Sequence, residues 1–187
     1  MMDIAIIGAG PAGASAALFS AKAGKDVAMF DSGKSITAKA WVENHYGLPE
    51  GIEGPHLLKN GQHQATTKGA ALVEAEVSSI EAIKDGYAIT AGEETYEAHH
   101  VLFATGMSVK LAEAFGLPVV EGTEPRVAKI IKVDENGQTD KKNVWAAGTV
   151  AGVSVHTIIT SGDGARVAVN ILSEINGERY VDHDILK

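Results

Sequence analysis

An α/β fold, with a parallel sheet flanked by helices and an inserted three-stranded antiparallel layer, is predicted by three features of this 187-residue sequence. Short apolar runs at residues 3–7, 101–104 and 144–147 read as strands buried on both faces of a parallel sheet. A glycine-rich segment, residues 8–13, joins the first run to a helical repeat. Asp85-Gly86 and Gly92-Glu93 separate strand-like runs in the way hairpin turns do. The length fits one domain, residues 1–187, large enough to bury a real core. Aromatic residues make up only 5%, so that core has to be built mostly from Ala, Val, Ile and Leu.

Taken in order, the first strand covers residues 3–7. Ala14, Ala17, Leu18 and Ala21 then recur at helical spacing until Gly24 closes the helix with a left-handed cap. A strand over 27–30 ends in Asp31. A loop over 32–51 leads into a helix over 55–68, in which Gly61 lowers the helical propensity. Residues 71–83, 87–91 and 95–98 are expected to form the antiparallel layer, an ornament on one parallel unit. The strand at 101–104 runs into Thr105-Gly106, and the strand at 144–147 into Gly148-Thr149. Between them, 126–133 reads as extended and Asn136-Gly137 as a turn. The last helix covers 158–175, with Val167, Ile171, Leu172 and Ile175 on one face and Gly177 as its stop. Four strand ends therefore direct their loops toward one edge of the sheet.

Composition narrows the function classes. No cysteine is present, which excludes disulfide staples, thiolate metal sites, CxxC redox chemistry and a cysteine nucleophile for these residues. Sixteen basic against 24 acidic side chains give a formal charge of −8 without basic blocks. Nucleic acid and anionic membranes both require clustered Lys and Arg, so neither is the expected partner. No apolar run approaches the ~18 residues of a membrane span, and the opening run lacks a basic flank or cleavage signature. The expectation is a cytoplasmic protein with a small soluble ligand.

Gly8-Ala9-Gly10-Pro11-Ala12-Gly13 fits GxGxxG and sits between a strand and a helix. Gly8 permits the tight turn, Gly10 lets the backbone approach a pyrophosphate, and Gly13 lets helix and strand pack closely. The helix N-terminus then presents unpaired N–H groups and the positive end of its dipole to the phosphates. Asp31, 18 residues after Gly13, can accept hydrogen bonds from both ribose hydroxyls of an adenosine, and disfavours a 2′-phosphate. Strand, turn, helix, strand and acid in this order make a Rossmann-like dinucleotide site the reading of the first thirty-one residues.

Over nearly its whole length the chain then resembles the FAD domain of thioredoxin reductase-like flavoproteins. The resemblance is carried, in order, by Gly8 to Gly13, Val42-Glu43-Asn44, Ala104-Thr105-Gly106, Val144 to Gly148 and the closing helix. It implies FAD extended across the sheet edge, with Gly8, Gly10, Pro11, Ala12, Gly13, Asp31, Asn44, Ala104, Thr105, Gly106, Gly148, Thr149, His156, Thr157 and Ile158 at the cofactor. It also implies a homodimer. Two departures stand out. The family carries an NADPH-binding domain with its CxxC pair between the Ala-Thr-Gly strand and the last segment, an interval that residues 107–129 bridge here too briefly for such a domain. Where the family has Asp after the last Ala-Gly, binding a ribityl hydroxyl, this sequence has Thr149, and the loss of a charge-assisted bond there is worth about 1–3 kcal/mol.

Several residues admit two readings. By the resemblance, the dipole of the last helix stabilises negative charge on a reduced flavin, and His156 is a partner or proton donor to the ring; otherwise His156 is a loop histidine bonded to backbone. His99 and His100 point to opposite faces of a strand, which argues against a shared metal, and no metal site is expected. Trp145 reads as core, and Trp41 and Tyr46 as lining either the site or an interface. Asp163 and Arg166, three apart on the last helix, read as a surface pair. No catalytic residue is assigned. Three functions follow: a flavoprotein oxidoreductase of one FAD domain, supplied by a separate reductase or by NAD(P)H and not self-sufficient; a non-catalytic FAD- or NAD-binding assembly module; or an NAD(H)-binding protein.

Overall fold

The apolar opening of the chain forms strand β1 (Met2–Ile7), and Pro11 starts helix α1 (Pro11–Lys22) in the first turn, where its missing N–H costs nothing. β2 (Val27–Phe30) is buried throughout. Two short strands, β3 (Trp41–Val42) and β4 (Ile52–Glu53), pair antiparallel and close the 43–51 loop, followed by α2 (Gly54–Thr67), which runs unbroken through Gly61. The middle of the chain supplies β5 (Ala71–Val73), β6 (Val77–Ile83), β7 (Gly86–Ala91) and β8 (Glu94–Phe103). A short helix α3 (Lys110–Ala114) and the pair β9 (Val119–Glu121) and β10 (Lys129–Ile131) precede β11 (Val144–Ala146) and the long α4 (Thr157–Asn176). These elements come from a computed structural model that describes residues 1–182 and 184–186.

One sheet runs in the order β5-β2-β1-β8-β7-β6. β5, β2, β1 and β8 are parallel, while β8, β7 and β6 are antiparallel. β8 serves two neighbours on its far side: residues 94–98 pair with β7, and Val101 to Phe103 pair in parallel with β11. The expected antiparallel layer is therefore continuous with the parallel sheet. Two expected boundaries are corrected. Residues 71–83 are two strands, β5 on β2 and β6 on β7. Residues 95–98 and 101–104 belong to one strand, because His99 faces solvent and His100 the core, so the pleat continues through both.

Alternation along β1 divides the core. Ile4 and Ile6 pack with Met29, Leu102, Trp145, Val167 and Ile171 under α1 and α4; Ala5 and Ile7 pack with Phe30, Ile89, Val101, Phe103 and Val144 on the other face. Close approach sets the α1 position. A Cβ on Gly13 would lie 1.8 Å from the carbonyl oxygen of Gly8, and one on Gly164 2.0 Å from that of Ala12. Only glycine lets the turn, α1 and α4 sit this near one another.

Inside the first core half, the Trp145 indole N–H donates to Nδ1 of His100 at 3.3 Å. Burial, with the neighbouring His99 as a smaller cause, pushes the His100 imidazole down to about 4. An unfolded histidine titrates near 6.5. Between about pH 6.5 and 4 the unfolded chain therefore binds a proton that the folded chain refuses, and folding stability falls on acidification. The contribution is complete above about pH 6.5 and its loss by pH 4 is on the order of 3 kcal/mol. Urea denaturation of the wild type and His100→Asn at both pH values is expected to show the smaller acid-induced loss in the variant; equal losses contradict this assignment.

Candidate functional site

β1, β2, β8 and β11 all end on the same side, and their loops enclose a cavity of about 960 Å³. That is the upper range of small-molecule clefts, placed where parallel sheets bind ligands, beyond the carboxyl ends of their strands. A second cavity, about 520 Å³, lies between α1, α2 and the loop carrying Tyr46, and is lined by helix faces instead of strand ends.

Gly8, Gly10, Pro11, Ala12, Asp31, Ala104, Thr105, Gly106, Gly148 and Thr149 all line the larger cavity. Gly13 does not; it sits behind the turn, where its missing side chain admits the Gly8 carbonyl. α1 begins at the cavity wall with no side-chain cap and no acidic residue in its first turn. Its first N–H groups are thus left for an anion, with the helix dipole behind them. Asp31 stands at the end of β2, with Oδ1 accepting from the Gly33 N–H at 2.9 Å. Thr149, 5% exposed, stands at the end of β11. Lys34 and Glu76 line the Asp31 end and pair with each other at 2.7 Å.

Asn44, His156, Thr157 and Ile158 are not brought into this cavity; Val155 and Thr160 line it instead. Asn44 is exposed. Its neighbour His45 places Nδ1 3.0 Å from the Thr157 hydroxyl, so this loop meets the N-terminus of α4, and burial lowers the His45 imidazole below its usual range. His156 is exposed and bonded through Nδ1 to the Ser154 hydroxyl at 2.7 Å, a side-chain partner and not a backbone one. Trp145 is core, while Trp41 and Tyr46 are exposed, Tyr46 lining the smaller cavity. Among the described residues no cluster of His, Cys, Asp or Glu is arranged to hold a metal, and no helix is long and apolar enough to cross a membrane.

Two sets of contacts at the cavity escape sequence reasoning. Asp163 is buried, not a surface residue: Oδ2 accepts from the Gly148 N–H at 2.7 Å and Oδ1 from Arg166 Nε at 2.9 Å. It pins the turn that presents Thr149. Gln62, from α2, donates to Asp31 Oδ2 at 2.9 Å and to the Ala9 carbonyl at 3.2 Å. The invariably short-range signals of sequence, periodicity and turn chemistry, register neither bond, because the partners are 15 and 31 residues apart.

Comparison with known proteins agrees with this geometry. The thioredoxin reductase structure from Gloeobacter violaceus superposes with a TM-score of 0.81 at 16% identity, over 100% of this chain and 99% of that one. The atypical thioredoxin reductase from Desulfovibrio vulgaris Hildenborough gives 0.78 at 18% identity, over 95% and 99%. At such identities the likeness is one of fold. In sequence, the NADPH-dependent thioredoxin reductase 3 of Arabidopsis thaliana is 30% identical over 115 residues, 58% of this chain and 22% of that protein. The thioredoxin reductase of Chlamydia pneumoniae is 33% identical over 117 residues, 59% of this chain and 38% of that protein. The chain thus matches well under half the length of these curated relatives. Between β8 and β11 this chain holds one short helix and one hairpin. The family model of pyridine nucleotide-disulphide oxidoreductases matches residues 2–129 and 73–170, which together take in all four strand ends of the cavity. A nucleotide-binding fold and a sequence match over most of its length coincide on one site, and the chain belongs, as a thioredoxin reductase-like member, to the pyridine nucleotide-disulphide oxidoreductase family.

Proposed function

We propose that residues 1–187 form a single FAD-binding domain that passes electrons between an external donor and an acceptor. The observation that carries this reading is one cavity holding an uncapped helix N-terminus in its wall and the Asp31 carboxylate at the end of the next strand. The residues lining the cavity suit the cofactor: the first-turn amides of α1 would offset the pyrophosphate charge, Asp31 would accept from the adenosine ribose, and the Thr149 hydroxyl is the group that would serve the ribityl chain. FAD, when bound, supplies two-electron chemistry. The chain's part would be to hold and orient it, and α4, which reaches the cavity at Thr160 and has no side-chain cap, would favour negative charge on that side.

No thiol is available among these 187 residues, so the disulfide exchange of the relatives has no dithiol here. Electrons then enter from NAD(P)H or a separate reductase and leave to a partner. We place the protein in the cytoplasm as a homodimer, free of nucleic acid and membrane. A second reading, a structural flavin or adenine nucleotide in an assembly module, is favoured by Thr149 in place of an acid and by the position of Asn44, His156, Thr157 and Ile158 outside the cavity. Anaerobic addition of NADH or NADPH to the flavin-loaded protein separates them: bleaching of the flavin band supports the oxidoreductase, and a flavin that neither donor nor dithionite-reduced mediator can cycle supports the module.

Thr149→Asp is a gain-of-binding test. Replacing the hydroxyl by a carboxylate at the ribityl position is expected to tighten FAD about tenfold, within the 1–3 kcal/mol of a charge-assisted hydrogen bond. Flavin fluorescence titration measures it; weaker binding by the variant contradicts the placement of the ribityl chain.

A further inference from the structure

We propose that Gln62 is a positioning residue of the dinucleotide site, holding the Asp31 carboxylate and the glycine-turn backbone in one arrangement and so setting affinity for the adenosine ribose. This rests on the dinucleotide reading above. The Gln62 amide nitrogen donates to Asp31 Oδ2 at 2.9 Å and to the Ala9 carbonyl at 3.2 Å. A primary amide has two N–H donors, so both bonds form at once. Ala9 and Asp31 line the cavity and Gln62 does not. One side chain of α2 thereby ties the loop after β1 to the end of β2.

The chemistry of the amide matches what Asp31 has to do. Each Asp31 oxygen receives one protein donor, Gln62 on Oδ2 and the Gly33 N–H on Oδ1, and each keeps capacity to accept from a ribose hydroxyl. A neutral donor fixes the carboxylate without neutralising it. A lysine or arginine there would compete for its charge, and a glutamate would repel it. The nearby Lys34 and Glu76 are paired with each other at 2.7 Å, which leaves the amide as the side-chain donor that Asp31 has.

The test titrates full-length wild type, Gln62→Leu and Gln62→Glu with FAD and, to isolate the adenosine end, with ADP, at about pH 5.5 and about pH 8.5. Gln62→Leu is expected to weaken both ligands about tenfold, the scale of one lost hydrogen bond to a charged group, and to add much less in an Asp31→Ala background, where only the Ala9 bond is left to lose. Gln62→Glu sets a second carboxyl group against Asp31 and, when protonated, offers only one O–H donor, so its Kd should be about tenfold weaker at the higher pH and recover only in part at the lower, the Ala9 bond staying lost. Variants that melt earlier yet bind both ligands as the wild type does, at either pH, overturn the positioning role alone. A wild type that binds neither FAD nor ADP overturns the dinucleotide reading together with it.

Discussion

Gly13→Ala is expected to cost on the order of 3 kcal/mol of folding stability and to abolish FAD retention. The added Cβ would stand 1.8 Å from the Gly8 carbonyl oxygen, 2.8 Å from its carbon and 3.3 Å from Ile6 Cγ2. Backbone atoms have no rotamer to escape into, so the turn itself has to open. Opening it withdraws the α1 N-terminus from the cavity it lines. The control is Gly162→Ala in α4, where a Cβ meets nothing within 4 Å. There the helix-interior gain of about 0.5–1 kcal/mol is expected. Thermal denaturation of the pair, with FAD titration of each, reads both effects; a Gly13→Ala protein as stable as wild type contradicts the turn geometry.

Asp163→Ala is the second large effect, about 2–3 kcal/mol, with FAD affinity falling at least tenfold. Asp163 is buried, and its loss leaves the Gly148 N–H without its 2.7 Å acceptor. Arg166 is partly solvent-exposed and keeps the Glu135 carbonyl at 2.6 Å, so most of the cost lies in the orphaned amide and not in the ion pair. Asp163→Asn retains an acceptor oxygen and should lose roughly half as much. The functional loss follows because the freed turn carries Thr149. Chemical denaturation and flavin titration of both variants check this; Asp163→Ala within about 0.5 kcal/mol of wild type would show that another contact fixes the turn.

What the sequence made legible was what local physics dictates. β1, α1, β2 and α4 follow from apolar runs, a proline at a helix start and glycine stops, and the strand ends that build the cavity follow from the same signals. β3 and β4 were not legible, because two-residue strands have no period to detect. The split between β5 and β6 was hidden by a continuous strand-like composition whose two halves find different neighbours, β2 and β7. Asp163 and Gln62 escaped for a further reason. Helical spacing pairs Asp163 with Arg166, and it does bond Arg166, but its second acceptor bond reaches Gly148, which only the tertiary fold brings near. Gln62 sits in the middle of a helix whose sequence gives no sign that one residue faces the end of β2.

FAD binding in this cavity is read by the visible absorption spectrum of the purified protein after incubation with FAD and removal of the unbound excess. A flavin band is expected to be retained in wild type, lost in Gly13→Ala and weakened in Gln62→Leu. A wild-type protein that keeps no flavin, while still binding ADP or NADH, would contradict FAD as the ligand of this cavity.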